Sequence, residues 1–279
     1  MAAAELLTHS TEGIRRRGRK RSLTEFGRVP WEESHSPTFS ARHDSSQRAE
    51  AAAVLESLEA FREEVAGLFE HVPGDIAVVL HPRGAALTLA HPWLPLARSV
   101  AAPASRRYFA GWFTETDIHV LSSPALERRA SKVPGSREAL VLSPLHEYSH
   151  LVIGANNPDL PPPFSPAAFR RYVRWAWLCE GGAVWLSGQT PYLRPAIMRR
   201  HRDGGRPEFP PSARDAMLLG GTIFSMLERE GGPAAAVALA MSPLDERGAR
   251  AVLVDVFGRT LASVERDWRA ELDSLSAAA

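Results

Sequence analysis

The residues His146-Glu147-Tyr148-Ser149-His150 carry the side chains best suited to chemistry in this sequence. On a helix, residues four apart project from one face, one turn above the other. Both imidazoles can then reach a single ion, and zinc accepts imidazole nitrogen at about 2.0–2.1 Å in a tetrahedral site. Glu147 falls at the edge of the same face. There it can hydrogen-bond a water beside the metal without ligating the metal itself. Leu142, Leu145, Leu151, Val152 and Ile153 make this helix strongly apolar, so the histidines would be buried. Buried imidazoles need partners, which an ion supplies. The plainer alternative is a surface helix with satisfied histidines.

A zinc that does chemistry needs a third protein ligand and an open fourth position. Trp177-Leu178-Cys179-Glu180-Gly181-Gly182-Ala183 offers Glu180 within an otherwise apolar stretch. An unpaired carboxylate there is costly or stays protonated. Gly181 and Gly182 each cost about 1 kcal/mol relative to Ala in a helix. They make sense if another backbone packs closely against this turn. The alternative is a solvent-facing glutamate with glycines that end the helix. Cys179 reads as a buried, inert thiol rather than a ligand.

The HExxH of 146–150 followed by Trp-Leu-Cys-Glu-Gly-Gly-Ala at 177–183 resembles the gluzincin zinc metallopeptidases, in particular the peptidase MA-like group with its W-L-x-E-G-x-A motif. More distantly it is similar to the aminopeptidase-N-like and thermolysin-like enzymes. The resemblance implies one zinc ion held by His146, His150 and Glu180, with Glu147 as general base in peptide-bond hydrolysis. It departs from the metzincin pattern, whose Gly and third His would fall at Ile153 and Asn156. Residues 151–179 form a longer gap than in the thermolysin-like branches. Within it, 156–164 carries Pro158, Pro161, Pro162 and Pro163, which predicts an ordered loop or lid. The thermolysin-like aspartate four residues after the Glu ligand is Val184 here, so the group that orients each imidazole is unidentified.

Peptide hydrolysis also needs a donor for the developing oxyanion. Tyr108, Tyr172, Tyr192 and His201 are candidates. A peptide lying extended beside the helix needs an edge strand to pair with. Residues 108–113 are the candidate, with Ala110, Gly111 and Trp112 as substrate-binding positions; Gly111 would let a backbone approach closely. The alternative is an internal hairpin strand with its aromatics in the core. The same metal and base would also serve a non-peptide amide or ester. A catalytically silent metal-binding module is a third reading, which the intact Glu147 disfavours.

These residues need a scaffold, and the sequence reads as α+β: a helix, a small sheet, then a helical half. Residues 1–46, basic and poor in apolar periodicity, predict a disordered tail ahead of one catalytic domain over 47–279. A sheet-containing lobe (47–155) carries the HExxH helix and a helical lobe (156–279) carries the Glu ligand. Apolar spacing predicts a helix over 47–71, and a strand over 75–80 follows Pro-Gly. A hairpin over 108–121 turns at Thr114-Glu115-Thr116, and a short helix opens at Ser123-Pro124. Further helices are expected over 137–155 (with a break possible at Pro144), 166–188, 212–230, 233–241, 243–257 and 261–275. The 279 residues are 44% hydrophobic, with 33 Lys and Arg against 32 Asp and Glu. A net charge of +1 gives no global field for nucleic acid or membrane. Cys179 alone excludes an intrachain disulfide. No run approaches the roughly 20 apolar residues of a transmembrane helix, and no signal peptide is evident. The expected partner is a peptide or protein, and the expected compartment the cytoplasm.

Overall fold

A computed structural model describes residues 31–90, 108, 110–160, 165–244 and 246–277. Strands β1 (Trp31–His35) and β2 (Phe39–Asp44) lead through a single 3-10 turn into helix α1 (Arg48–Ala66). Then come β3 (Ile76–His81), α2 (Gly84–Ala90), β4 (Gly111–Phe113), β5 (Asp117–Leu121), α3 (Ser123–Arg129), α4 (Ser136–Val141) and α5 (Ser143–Asn156). The remainder is helical: α6 (Pro166–Arg174), α7 (Ala176–Leu186), α8 (Thr190–Asp203), α9 (Ala216–Gly231), α10 (Pro233–Ala240), α11 (Ala249–Phe257) and α12 (Leu261–Ala277). The class is α+β.

The sheet order is β1-β2-β3-β5-β4. β2, β3 and β5 run parallel, while β1 and β4 join antiparallel at the two edges. β1 and β2 correct the expected tail. Residues 31–44 belong to the sheet, and only 1–30 of that segment lie outside the described residues. The signal was faint because β2 presents just Phe39, Ala41 and His43 to the interior, and β1 is half exposed. Such short polar strands are specified by pairing with neighbours rather than by their own pattern. The 156–164 loop falls partly on residues 161–164, which lie outside the described residues.

Alternation sends Ile76, Val78, Leu80, Ile118 and Val120 to one face of the sheet, where they join the main core. α1 supplies Leu55, Leu58, Phe61 and Val65 to that core, and α5 supplies Tyr148, Val152 and Ile153. Tyr148 sits edge-on to Phe39 and Phe61, with ring centroids 5.1 and 6.2 Å apart. Burial of such side chains stabilises by about 1.5–3 kcal/mol each, which fixes α5 on the sheet. The same core continues through α7 and α9 to Trp268 of α12, so the two expected lobes share one interior.

Two helix expectations split. The segment 137–155 breaks at Leu142, so that Pro144 opens α5 where its missing N–H costs nothing. The segment 166–188 breaks at Trp175. The sequence reading passed over α8, whose first turn holds Pro191 and whose interior holds Pro195. It also passed over α2 and a cis bond at Phe209-Pro210.

Candidate metal centre

α5 carries His146, Glu147 and His150, and α7 carries Glu180; each is at least nine-tenths buried. What holds α7 in place is backbone contact with α9. A Cβ on Gly181 would lie 2.5 Å from the Gly220 carbonyl carbon, and one on Gly220 would lie 2.5 Å from the Trp177 oxygen. A Cβ on Gly182 would lie 2.9 Å from Ile153 of α5. The glycines after Glu180 therefore let α7 seat between α5 and α9, as their cost in a helix suggested. Gly220 is a partner the sequence reading did not foresee.

The three ligand candidates converge. The Nε2 atoms of His146 and His150 are 3.2 Å apart. Glu180 Oε2 lies 3.4 Å from His146 Nε2, and its Oε1 lies 3.7 Å from His150 Nε2. Ligand atoms about 2.0–2.1 Å from a tetrahedral ion stand about 3.3 Å from one another. These spacings fit that geometry, and the three side chains can hold a metal ion. His150 is stacked by the Phe113 ring at 4.6 Å. The Nδ1 of His146 meets Gln189 Oε1 at 2.9 Å.

Electrostatics point the same way. Burial pushes Glu147 up to about 8, helped by the Glu180 charge and opposed by His146. Burial likewise drives His150 down to about 3. Burial opposes ionisation of Glu180, yet its hydrogen bond from His146 and the facing imidazoles pull it to about 2. Burial would depress His146 too, but the Glu180 hydrogen bond and the two carboxylates outweigh it and raise it. Without a cation the site holds an ionised carboxylate and a protonated one in low dielectric, an arrangement a divalent ion relieves.

A cleft opens on the group, lined also by Tyr108, Trp112, Phe113, Tyr172 and Met217. The Tyr172 hydroxyl donates to Glu180 Oε1. Of the other oxyanion candidates, Tyr108 lines the cleft, Tyr192 is exposed, and His201 pairs with Asp273 at 2.7 Å.

Among the described residues β4 is an edge strand running past α5, and Tyr108 and Phe113 also enter the core. A Cβ on Gly111 would sit 2.4 Å from Glu147 Oε1, so the strand passes directly beside that carboxylate. Bonds from Leu121 N to Ala110 O and from Thr114 N to Asp117 O set the register. Antiparallel alternation then turns the N–H and C=O of Ala110 and Trp112 toward β5, and those of Gly111 and Phe113 away from it. Of the three expected substrate positions, Gly111 turns its backbone away from β5, while Ala110 and Trp112 both pack in a small second core, Trp112 also lining the cleft. Phe113 is the outward position the sequence reading missed.

No family model, curated protein or solved structure matches this chain. No described helix is long and apolar enough to cross a membrane.

Proposed function

We propose that this protein is a zinc peptidase of gluzincin type. The observation that carries the reading is the convergence of His146, His150 and Glu180 at spacings suited to one tetrahedral ion, with Glu147 beside them and an edge strand alongside. His146, His150 and Glu180 would hold the ion, which supplies Lewis acidity and makes water acidic enough to deprotonate near neutral pH.

The chain's own groups do the rest. Gly111 and Phe113 direct backbone N–H and C=O toward an extended peptide, which adds to β4 as a further strand. Glu147 takes a proton as the water oxygen bonds to the carbonyl carbon, then passes it to the amine nitrogen as the C–N bond breaks. Tyr172 lines the cleft with its one O–H donated to Glu180 Oε1, and would turn that O–H from the carboxylate to the developing oxyanion. The outward-facing backbone of β4 favours a peptide over a small amide or ester.

The test compares wild type and Glu147→Gln, each reconstituted with zinc, on a mixed peptide library read by mass spectrometry. The expected result is one zinc per chain in both and cleavage lost about 10²–10⁴-fold in the variant. Wild type with one zinc and no peptide cleaved would overturn the peptidase reading. Wild type that binds no zinc would overturn the metal site.

A further inference from the structure

Resting on the metal-site reading above, we propose that Gln189 is the positioning residue that fixes the ligand tautomer of His146. A metal-binding histidine needs its second ring nitrogen held, and such partners affect metal affinity almost as strongly as ligands do. Four residues after Glu180, where thermolysin-like sequences place an aspartate, this chain has Val184. The partner comes instead from just beyond the end of α7. The helix stops at Leu186, Gly188 adopts φ +71°, and the Gln189 N–H bonds back to the Val184 carbonyl at 3.0 Å. That left-handed turn favours glycine. It returns the Gln189 side chain to the interior, where the residue is 2% exposed.

The hydrogen bonds fix which way the amide points. Gln189 Nε2 donates to the Ala139 carbonyl of α4 at 2.6 Å, and that carbonyl can only accept. Oε1 is therefore the atom 2.9 Å from His146 Nδ1. An amide oxygen can only accept, so His146 Nδ1 carries the proton. Nε2, the nitrogen that faces His150 and Glu180, is then the one available to an ion in place of its hydrogen bond to Glu180. A flipped amide would set its oxygen against the Ala139 carbonyl oxygen, where neither can donate. One stretch, 180–189, thus supplies both a ligand and the group that aims another. It does so with a neutral amide, which adds no negative charge beyond those of Glu180 and Glu147.

The test uses the full chain with Zn²⁺ as probe. It measures Zn²⁺ affinity by chelator competition, and the His146 ring protons by long-range ¹H–¹⁵N NMR of the zinc-loaded protein. Wild type should show a solvent-protected Nδ1 proton on His146. Gln189→Met, similar in size but without the acceptor, should lose that protection and bind zinc about 10–100-fold more weakly. Metal-free unfolding of this variant separates the effect from loss of fold. Gln189→Glu keeps an oxygen toward His146 and, as the acid whose O–H bonds the Ala139 carbonyl, should retain the protected proton, which preserves a readout if the Met variant does not fold. A wild-type spectrum without a protected His146 Nδ1 proton overturns the proposal, as does unchanged zinc affinity in a folded Gln189→Met. Wild type that takes up no zinc refutes the metal site itself.

Discussion

Gly111→Ala is the sharpest test of the close approach between the edge strand and Glu147. The added Cβ would lie 2.4 Å from Glu147 Oε1, 2.6 Å from Cγ and 2.7 Å from Cδ. Ordinary contact begins at 3.4 Å, so strand and carboxylate must separate by about 1 Å. The backbone at Gly111 is outside the left-handed region, so alanine is not strained there. The loss of glycine freedom in the unfolded chain contributes about 0.4–1 kcal/mol in favour of the variant. Crowding opposes this by about 1–3 kcal/mol. Net stability should therefore fall by no more than about 2.6 kcal/mol, and the ligands on α5 and α7 should be undisturbed. A misplacement of about 1 Å in a catalytic group costs about 10²-fold in rate. The assay is turnover of a peptide found in the library screen, beside zinc stoichiometry and thermal unfolding. The expected variant keeps one zinc and loses at most several degrees in Tm but about 10² in kcat. Full turnover in a folded, zinc-loaded Gly111→Ala would refute the placement of Glu147 as the reacting base.

Tyr172→Phe, assayed at saturating zinc because it also removes a hydrogen bond to Glu180, should keep its fold yet lower kcat by about 10²–10³ with little change in KM, as expected for a donor to the oxyanion; an unaltered kcat removes Tyr172 from that role. His146→Ala and Glu180→Ala should each remove most bound zinc by elemental analysis, and full stoichiometry with Ala at 180 would place the third ligand elsewhere. Gly220→Ala forces the backbones of α7 and α9 apart and should cost at least about 1–3 kcal/mol, several degrees in Tm. In the metal-free protein, Glu147 has its pKa raised from 4.5 to about 8, so the folded state binds more protons than the unfolded. The stability it contributes is present below pH 4.5 and is lost as pH rises toward 8. Glu147→Gln should abolish that slope and be on the order of 1–3 kcal/mol more stable than wild type at pH 8–9; parallel urea-unfolding curves at pH 6 and 9 would contradict it.

The group that could hold a metal was largely legible. His146 and His150 share a face because a helix repeats every 3.6 residues, and the apolar run around them signals burial. Glu180 was legible from a carboxylate set among tryptophan, leucine and alanine. Gln189 was not, because a glutamine beyond a helix end has no distinguishing local pattern; Gly188 before it was the only hint. β1 and β2 were missed because their polar residues gain order from pairing, β1 with β2 and β2 with β3, which is remote in sequence. Tyr172 was one candidate among four, and only its approach to Glu180 singled it out.

By itself, the sequence determined what depends on neighbours along the chain: the helix that pairs two imidazoles, the buried carboxylate, and the hairpin around residues 114–116. Tertiary structure alone decided which distant groups meet. The distance between α5 and α7, the amide aimed at His146 and the strand beside Glu147 depend on side-chain volumes packed between separate elements. Those contacts form across long loops, so no local pattern encodes them.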